Sequence, residues 1–254
     1  MSQSGHQALA GKVGVITGAS RNIGRAIALA LAAEGTAVVV NGRSDSAAAR
    51  AVVQEITAGG GRAIAHLADV TDEASVNGLA DTTVESFGRI DILVNNAAIR
   101  PARAFTDMSF GEWREITGVI LDGAFLCARA CVPHMLTAGG GTIVNIGGLS
   151  AHLGASNRAH VVTAKAGLEG LTRALAVELA GHGITVNCVV PGTIDTVRAE
   201  SAGARPAHQG RAEALIKRFG RPGEVAALVR HLCLPDAAYI TGQSIHVSGG
   251  AYFP

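Results

Sequence analysis

Aromatic residues and long hydrophobic runs are both scarce in this chain of 254 residues. Only 4% of the residues are Phe, Trp or Tyr, and the two tyrosines, Tyr239 and Tyr252, lie near the C-terminus. No window approaches ~20 uninterrupted apolar residues, so we expect no membrane span. Charged residues make up 16% of the chain and the formal net charge is +1. Without an excess of either sign, we expect neither a nucleic-acid partner nor a membrane surface.

Cysteine is also sparse, with four residues and no C-x-x-C pair. This usage indicates reduced thiols and a cytoplasmic protein. Cys127 and Cys131 have the i, i+4 spacing of a helical metal-binding pair, but small thiols are common packing residues on buried helices. We therefore predict no metal site. The N-terminus lacks the apolar stretch of a secretory signal.

Short β-branched segments alternate with alanine-rich segments along the chain. "KVGVITG" and "AVVVNG" are typical of buried strands, and "IGRAIALALAAEG" is typical of a helix. The alternation predicts an α/β fold, with a doubly wound parallel seven-stranded sheet and helices on both faces, which is a Rossmann fold. No linker or repeat divides the chain, so we expect residues 1–254 to form a single domain.

Two helices and one loop can be predicted in more detail. Thr71 is the expected N-cap of the helix that follows the third strand. One long helix is expected over "SFGEWREITGVILDGAFLCARACVPHMLTAG". The polar segment 195–211 is expected to be a substrate lid, because long loops in compact domains are commonly functional.

A glycine-containing turn, "VITGASRNIGRAIA", links the first strand to the first helix. Gly18 permits a tight turn, and Gly24 permits the helix to approach both a phosphate and the sheet. The free N–H groups and the positive dipole end of the helix favour a pyrophosphate. The segment therefore predicts a dinucleotide site at this turn.

These motifs resemble those of the short-chain dehydrogenase/reductase family, and the chain is similar in pattern to 3-oxoacyl carrier-protein reductases. The family's T-G-x-x-x-G-x-G motif falls on residues 17–24, with Asn22 in place of the usual middle glycine. Asn tolerates left-handed backbone angles better than most residues, so we expect cofactor binding to survive this change. Further matches follow in the family's order, namely "ADV", "NNAA", "VNCVVPGTIDT" and "ITGQSIHVSGG".

The resemblance implies a nicotinamide dinucleotide cofactor and a role for each matching position. Asp69 and Val70 would flank the adenine, and Asn96 and Ala97 would lie along the adenosine ribose. Lys165 would bond the hydroxyls of the nicotinamide ribose, and residues 191–196 would hold the nicotinamide amide. The expected cofactor-binding residues are Gly18, Ser20, Arg21, Asn22, Ile23, Gly24, Arg43, Asp69, Val70, Asn96, Ala97, Lys165, Pro191, Gly192, Ile194 and Thr196.

The residues after the second strand indicate which dinucleotide is bound. A free ribose 2′-hydroxyl is bonded by an acidic residue here, whereas a 2′-phosphate needs cations. The strand ends in "VVVNGRS", with Arg43 and no acid, and Arg21 lies inside the glycine motif. Two arginines can converge on one phosphate, and in this family such a pair implies NADP. The alternative is that both arginines are ordinary surface charges.

The resemblance also implies a catalytic set, most of which this chain lacks. In the family, a tyrosine four residues before the lysine protonates the substrate oxygen, a serine bonds that oxygen, and an asparagine supports a water relay. Here these three positions hold Val161, Gly148 and Ile120. Only Lys165 is retained. Loss of a positioned proton donor costs about 10²–10⁴ in rate, so we do not expect efficient reduction by the family's usual route.

Histidines near these positions are candidates for a substitute donor, because imidazole titrates near neutrality. His160 adjoins Val161, and His152 and Ser150 follow the fifth strand. We predict Lys165 and His160 as the catalytic residues. The alternative is that the histidines are polar residues of a pocket rim or an interface.

The favoured function is that of an NADP-dependent oxidoreductase that acts on a small carbonyl or hydroxyl compound through a non-standard proton donor. One alternative is a cofactor-binding pseudoenzyme that serves as a structural or regulatory subunit, and another is a non-redox lyase or isomerase. Arg100 and Arg103 either favour an acidic substrate or are solvated charges. In this family the long apolar helices form subunit interfaces, so we expect a homo-oligomer, either a dimer or a tetramer.

Overall fold

A computed structural model describes residues 7–197 and 214–254 of the chain. The strands are β1 (Val13–Ile16), β2 (Ala37–Gly42), β3 (Ala63–Leu67), β4 (Ile92–Asn95), β5 (Gly141–Ile146), β6 (Ile184–Pro191) and β7 (Ser244–Val247). The α-helices are α1 (Asn22–Ala33), α2 (Ser46–Ala58), α3 (Glu73–Phe87), α4 (Phe110–Thr117), α5 (Gly123–Thr137), α6 (Ser150–Leu153), α7 (Ala159–Leu179) and α8 (Pro222–Cys233).

The strands form one seven-stranded parallel sheet in the order β3-β2-β1-β4-β5-β6-β7. Strands β1, β2 and β4 are buried along their whole length, as expected of a parallel sheet with both faces covered. The strand order reverses between β1 and β4, which leaves a crevice at their carboxyl ends. The predicted Rossmann fold is confirmed.

Two apolar layers cover the sheet. In one layer, Ile27 of α1 and Val229 of α8 pack over one face, together with residues of α2. In the other layer, Leu79 of α3, Met135 of α5 and Leu179 of α7 pack over the opposite face. The helices therefore cover both faces, and the carboxyl edge of the sheet is left for a binding site.

All four cysteines are free and buried. Cys127 and Cys131 lie on α5 in the second layer, as residues that pack against apolar neighbours. Burial raises the pKa of the Cys127 thiol to about 12. A protonated thiol in such surroundings behaves as a small hydrophobic group.

The predicted N-cap of α3 is wrong. Asp72, and not Thr71, caps this helix, because the Asp72 carboxylate accepts a hydrogen bond from the Ser75 N–H at 2.8 Å. The Thr71 hydroxyl instead donates to the Asp69 carboxylate at 2.8 Å. A local side-chain hydrogen bond thus moves the start of the helix by one residue.

The long helix predicted after the fourth strand is present and contains an irregular turn. Residues Gly118–Asp122 form a π-helical turn between α4 and α5, a local irregularity that is often found near functional sites. The whole stretch Phe110–Thr137 is long and apolar enough to cross a membrane by length and composition, with a mean hydropathy of 1.5. However, 56% of its most apolar 18 residues are buried in the protein, where they pack as part of a core helix.

Asp91 is a buried carboxylate that holds the start of β4 to its neighbours. It accepts hydrogen bonds from Lys12 at 2.9 Å, from Arg89 at 2.6 and 2.8 Å, and from the N–H of Val13 at 3.0 Å. Burial alone would raise its pKa, but these bonds outweigh that effect and lower the pKa of Asp91. The paired charge of Asp91 therefore stabilises the fold at pH values above the ordinary pKa of an aspartate.

We predict that Asp91→Asn destabilises the protein by about 3 kcal/mol at pH 7, because it removes the charge that two cations share. Urea unfolding measures this difference, with Asp236→Asn at an exposed site as the control. The wild type and Asp91→Asn should become closer in their free energies of unfolding as the pH falls through the lowered pKa of Asp91, since the wild-type carboxyl then becomes neutral. A loss of unfolding free energy in Asp91→Asn that stays constant down to acid pH would contradict this account.

Candidate dinucleotide and substrate site

A cavity of about 600 Å³ opens at the carboxyl ends of the strands, where the strand order reverses. Its walls are the turn after β1, the segments that follow β2, β3, β4, β5 and β6, and the first part of α7. Every residue expected from the sequence to bind the dinucleotide lines this cavity. Of the two predicted catalytic residues, Lys165 lines the cavity and His160 does not. From residue 198 onward, the predicted lid 195–211 lies outside the described residues.

The turn between β1 and α1 requires glycine at two positions. Gly18 has a φ of +59°, in the left-handed region. A Cβ on Gly24 would lie 2.6 Å from the side-chain nitrogen of Asn96, and closer still to the carbonyl oxygen of Gly18. The first turn of α1 can therefore lie against the cavity wall only without a side chain here. This places the unpaired N–H groups of the helix at the cavity.

Side-chain hydrogen bonds fix this turn to the end of β4. The Thr17 hydroxyl accepts from the N–H groups of Asn96 and Ala97 at 2.9 and 3.0 Å. The Thr17 hydroxyl also donates to the Val94 carbonyl at 3.3 Å. The Asn96 side chain donates in turn to the carbonyls of Thr17 and Gly18, at 2.9 and 3.0 Å. Both strands that border the crevice thereby hold the turn in place.

Asn22 replaces the family's middle glycine and has the left-handed conformation that the sequence predicted, with a φ of +52°. Its side chain binds the backbone of Val197 twice. Nδ2 donates to the Val197 carbonyl at 2.8 Å, and Oδ1 accepts from the Val197 N–H at 3.0 Å. A glycine has no side chain for this pair, so Asn22 adds a connection between two walls of the cavity.

Asn41, at the end of β2, also shapes the cavity and was not predicted from the sequence. Its buried side chain accepts from the Gly18 N–H at 3.4 Å and donates to the carbonyls of His66 and Ala68, at 3.3 and 3.1 Å. It therefore joins the ends of β1, β2 and β3. The available signal was an amide within the apolar run "AVVVNG", since a buried polar side chain must find partners.

The two arginines expected at a 2′-phosphate both line the cavity and are exposed to solvent. Arg21 immediately precedes α1, and Arg43 immediately follows β2. Asp45 also lines this part of the cavity, but its carboxylate accepts the Ala48 N–H at 2.9 Å as the N-cap of α2. The carboxylate is thus engaged by a helix, whereas both arginines are exposed residues of the cavity lining.

The other end of the cavity is apolar where the family's catalytic groups would stand. Ile120 and Val161 are each 2% exposed and pack in one apolar cluster between α4 and α7. Gly148 lines the cavity, and a Cβ there would meet Lys165 Cγ at 3.8 Å and Ser150 Oγ at 3.9 Å. The proton donor and the water relay are therefore replaced together by one hydrophobic contact.

Lys165 is the retained member of the catalytic set. It is 4% exposed, and its Nζ donates to the carbonyl oxygen of Ile146 at the end of β5. Burial, reinforced by the positive charge of Arg100, lowers the pKa of Lys165 to about 8. Ammonium and neutral amine are therefore both populated close to neutral pH.

His160, the other predicted catalytic residue, does not line the cavity. The first turn of α7 places the ring inside the protein, with no exposed surface. Nδ1 accepts the N–H of Val161 at 2.9 Å, and Nε2 is enclosed without a hydrogen-bond partner. Burial lowers the pKa of His160, which favours the neutral ring.

His152 is turned toward β7 instead of the cavity. Its Nε2 lies 2.8 Å from the carboxylate of the buried Glu169, without an aligned hydrogen bond. Its ring packs against His246 and Tyr252, with centroid distances of 4.6 and 4.9 Å. Of the predicted alternative acid–base group, Ser150 alone lines the cavity.

Comparisons with known proteins agree with this geometry. Residues 18–252 match the family model described as enoyl-(acyl carrier protein) reductase. The chain is 46% identical to a 3-oxoacyl-[acyl-carrier-protein] reductase of Synechocystis sp., over 96% of this chain and 98% of the relative. It is 39% identical to the (2S)-[(R)-hydroxy(phenyl)methyl]succinyl-CoA dehydrogenase subunit BbsD of Thauera aromatica, over 94% and 96% of the two chains. The crystal structure of a dehydrogenase/reductase from Sinorhizobium meliloti is similar with a TM-score of 0.91 at 36% identity, over 98% of both chains.

The fold and the cavity define a Rossmann-fold protein with a dinucleotide-type cleft at the switch point of its sheet. With matches that span nearly its whole length, the chain belongs to the short-chain dehydrogenase/reductase family of oxidoreductases. Within that family it is similar to the 3-oxoacyl carrier-protein reductases.

We predict that Gly24→Ala weakens dinucleotide binding by at least about tenfold, because the new methyl group must displace the glycine turn. Gly78→Ala is the matched control, since a Cβ on this α3 residue meets no atom within 4 Å. The control should bind as the wild type does and gain up to about 1 kcal/mol of stability. Fluorescence titration with NADPH and thermal unfolding report the two effects. Wild-type affinity in Gly24→Ala would contradict the tight approach of helix and turn.

Proposed function

We propose that this protein is an NADP-dependent oxidoreductase that acts on a small carbonyl or hydroxyl compound without the family's tyrosine. The observation that carries the proposal is a single cavity lined by Arg21 and Arg43 beside the glycine turn and by Lys165 at the other end. The names of its relatives, which include 3-oxoacyl carrier-protein reductases, support a carbonyl substrate.

The chemistry of the lining residues fits a phosphorylated dinucleotide. The cavity volume falls within the range of roughly 300–1,000 Å³ that is typical of ligand pockets. The N-terminus of α1 suits a pyrophosphate, and Arg21 with Arg43 suits a 2′-phosphate. Asp69 and Val70 would flank the adenine, and Lys165 would bond the ribose of the nicotinamide.

The bound nicotinamide would supply the hydride chemistry, and the chain's own residues would prepare the substrate. We propose that Ser150 donates a hydrogen bond to the substrate oxygen in place of the serine missing at Gly148. Its hydroxyl lies 3.9 Å from the position that a Cβ on Gly148 would take. Val161, which lines the cavity, would exclude water from this end.

The apolar cluster also favours a second candidate, a protein that binds NADP without redox turnover. Ile120 and Val161 are packed against one another's helices as core residues are, which is the expected state of a site released from catalysis. Consumption of NADPH that depends on a carbonyl compound separates the two candidates. Among the described residues, no specific observation favours the non-redox lyase or isomerase.

We propose that the protein forms a symmetric homo-oligomer, either a dimer or a tetramer. Phe125 on α5 and Val177 on α7 are 48% and 86% exposed, and both belong to long helices on one face of the sheet. Apolar side chains at such positions favour burial between copies of the chain. The free thiols support a cytoplasmic location.

We predict that Arg21→Ala and Arg43→Ala each weaken NADPH binding by about 10-fold to 100-fold, because each removes one charged hydrogen bond of about 1.5–3 kcal/mol. NADH lacks the 2′-phosphate, so its affinity should stay unchanged in both variants. Arg129→Ala, on α5 and away from the cavity, is the control. Calorimetric titration measures the affinities, and equal losses for both dinucleotides would contradict a phosphate site at these arginines.

We predict that Val161→Tyr combined with Gly148→Ser raises carbonyl reduction on the order of 10²-fold, since both a proton donor and a hydroxyl are restored. Position 148 has room for a side chain at ordinary contact distances. Val161→Phe with Gly148→Ala is the matched control, which has nearly the same volumes without hydroxyls. NADPH consumption with a 3-oxoacyl thioester and short ketones is the readout. No difference between the two double variants would show that the cavity no longer supports the family's route.

A further inference from the structure

The described lining of the cavity offers few groups that exchange a proton near neutral pH. It holds no histidine, tyrosine, cysteine or glutamate. Asp45 and Asp69 lie near the expected phosphate and adenine positions, and arginine stays charged at any working pH. Lys165 is the titratable side chain that stands at the apolar end, where a substrate carbonyl would lie.

We propose that Lys165 is itself the catalytic acid of the reaction, which protonates the substrate oxygen directly, and the base of the reverse reaction. This inference rests on the proposed function, since it requires a carbonyl substrate and a reduced nicotinamide. The hydride of that nicotinamide adds to the carbonyl carbon while the C=O π pair moves to oxygen. An N–H bond of the ammonium breaks, an O–H bond forms, and the neutral amine regains a proton from water.

Val161 and Gly148 line the cavity beside Lys165, so neither position places a polar side chain between the lysine and a ligand. Val161, one turn earlier on α7, is too short to stand between the lysine and a ligand, as a tyrosine would. Gly148 has no side chain, and a Cβ there would touch the Lys165 stem at 3.8 Å. The Ile146 carbonyl accepts from Nζ and so anchors the ammonium at the end of β5.

The charges around Lys165 suit proton transfer. Burial disfavours the ammonium most, Arg100 from the segment after β4 adds to this effect, and the Cys188 thiol on β6 opposes it weakly. Glu169, one turn later on α7, is engaged by His152 and Ser244. The resulting pKa of about 8 keeps the ammonium dominant at pH 7 while making it a stronger acid than ordinary lysine.

A titration that does not depend on turnover tests the acid directly. The sequence holds three lysines, Lys12, Lys165 and Lys217, so ¹³Cε-labelled lysine gives a spectrum that is simple to assign with Lys165→Arg. In the wild-type protein with and without NADPH, the signal lost in Lys165→Arg should titrate with a midpoint near 8. A midpoint at the ordinary lysine value of about 10.4 would overturn the proposal.

Kinetics with matched variants test the role. Lys165→Arg keeps a cation that can bond a ribose but that cannot release its proton, so turnover should fall by about 10²–10⁴. NADPH affinity should change by less than about tenfold, and Lys217→Arg should behave as the wild type. In Lys165→Ala, added ethylamine should restore part of the activity, at a rate that follows the concentration of its ammonium form.

The outcomes separate this inference from the proposed function. Wild-type turnover in Lys165→Arg, or a loss of turnover in Lys165→Ala that is explained by weaker NADPH binding and is not rescued by ethylamine, would overturn the catalytic role of Lys165 alone. A wild-type protein that binds NADPH yet reduces no carbonyl compound would overturn the proposed function, and this inference with it.

Discussion

The contact between the first turn of α1 and the end of β4 is the constraint on which the rest of the site depends. Gly24 approaches the carbonyl of Gly18 and the side chain of Asn96 so closely that no Cβ fits. Thr17 and Asn96 then bond the turn from both sides. This junction lies where the strand order reverses, so it fixes the position of the α1 N-terminus over the crevice. The other walls of the cavity are the ends of the neighbouring strands.

The opposite end of the cavity is governed by packing instead of hydrogen bonds. Ile120 and Val161 come from separate helices, yet they lie in one apolar cluster. Buried polar catalytic groups at these positions would have needed hydrogen-bond partners, whereas aliphatic side chains need only apolar neighbours. The substitutions are therefore mutually compatible, and they leave Lys165 as a buried amine whose pKa is lowered by burial and by the charge of Arg100. Hydrogen bonds therefore fix the end of the cavity at the glycine turn, whereas apolar packing shapes the end near Lys165.

The sequence predicts the fold well, and it predicts which residues line the cavity, because both depend on local rules. Alternating strands and helices specify the sheet, and the left-handed φ of Asn22 follows from the chemistry of a single residue. Long-range contacts decide the rest. The orientation of His160 depends on which face of α7 it occupies, and that of His152 depends on its contact with β7. The neighbouring residues in the sequence do not reveal either one. Asn41 was missed for the same reason, since its partners lie on two other strand ends.

The most direct test of the central claim is a crystal structure of the protein with NADPH. The account predicts the pyrophosphate at the N-terminus of α1 and the nicotinamide at the apolar end, with Ile120 and Val161 still packed together beside Lys165. A nicotinamide that contacts the ring of His160, or a cavity in which the glycine turn binds no phosphate, would contradict it.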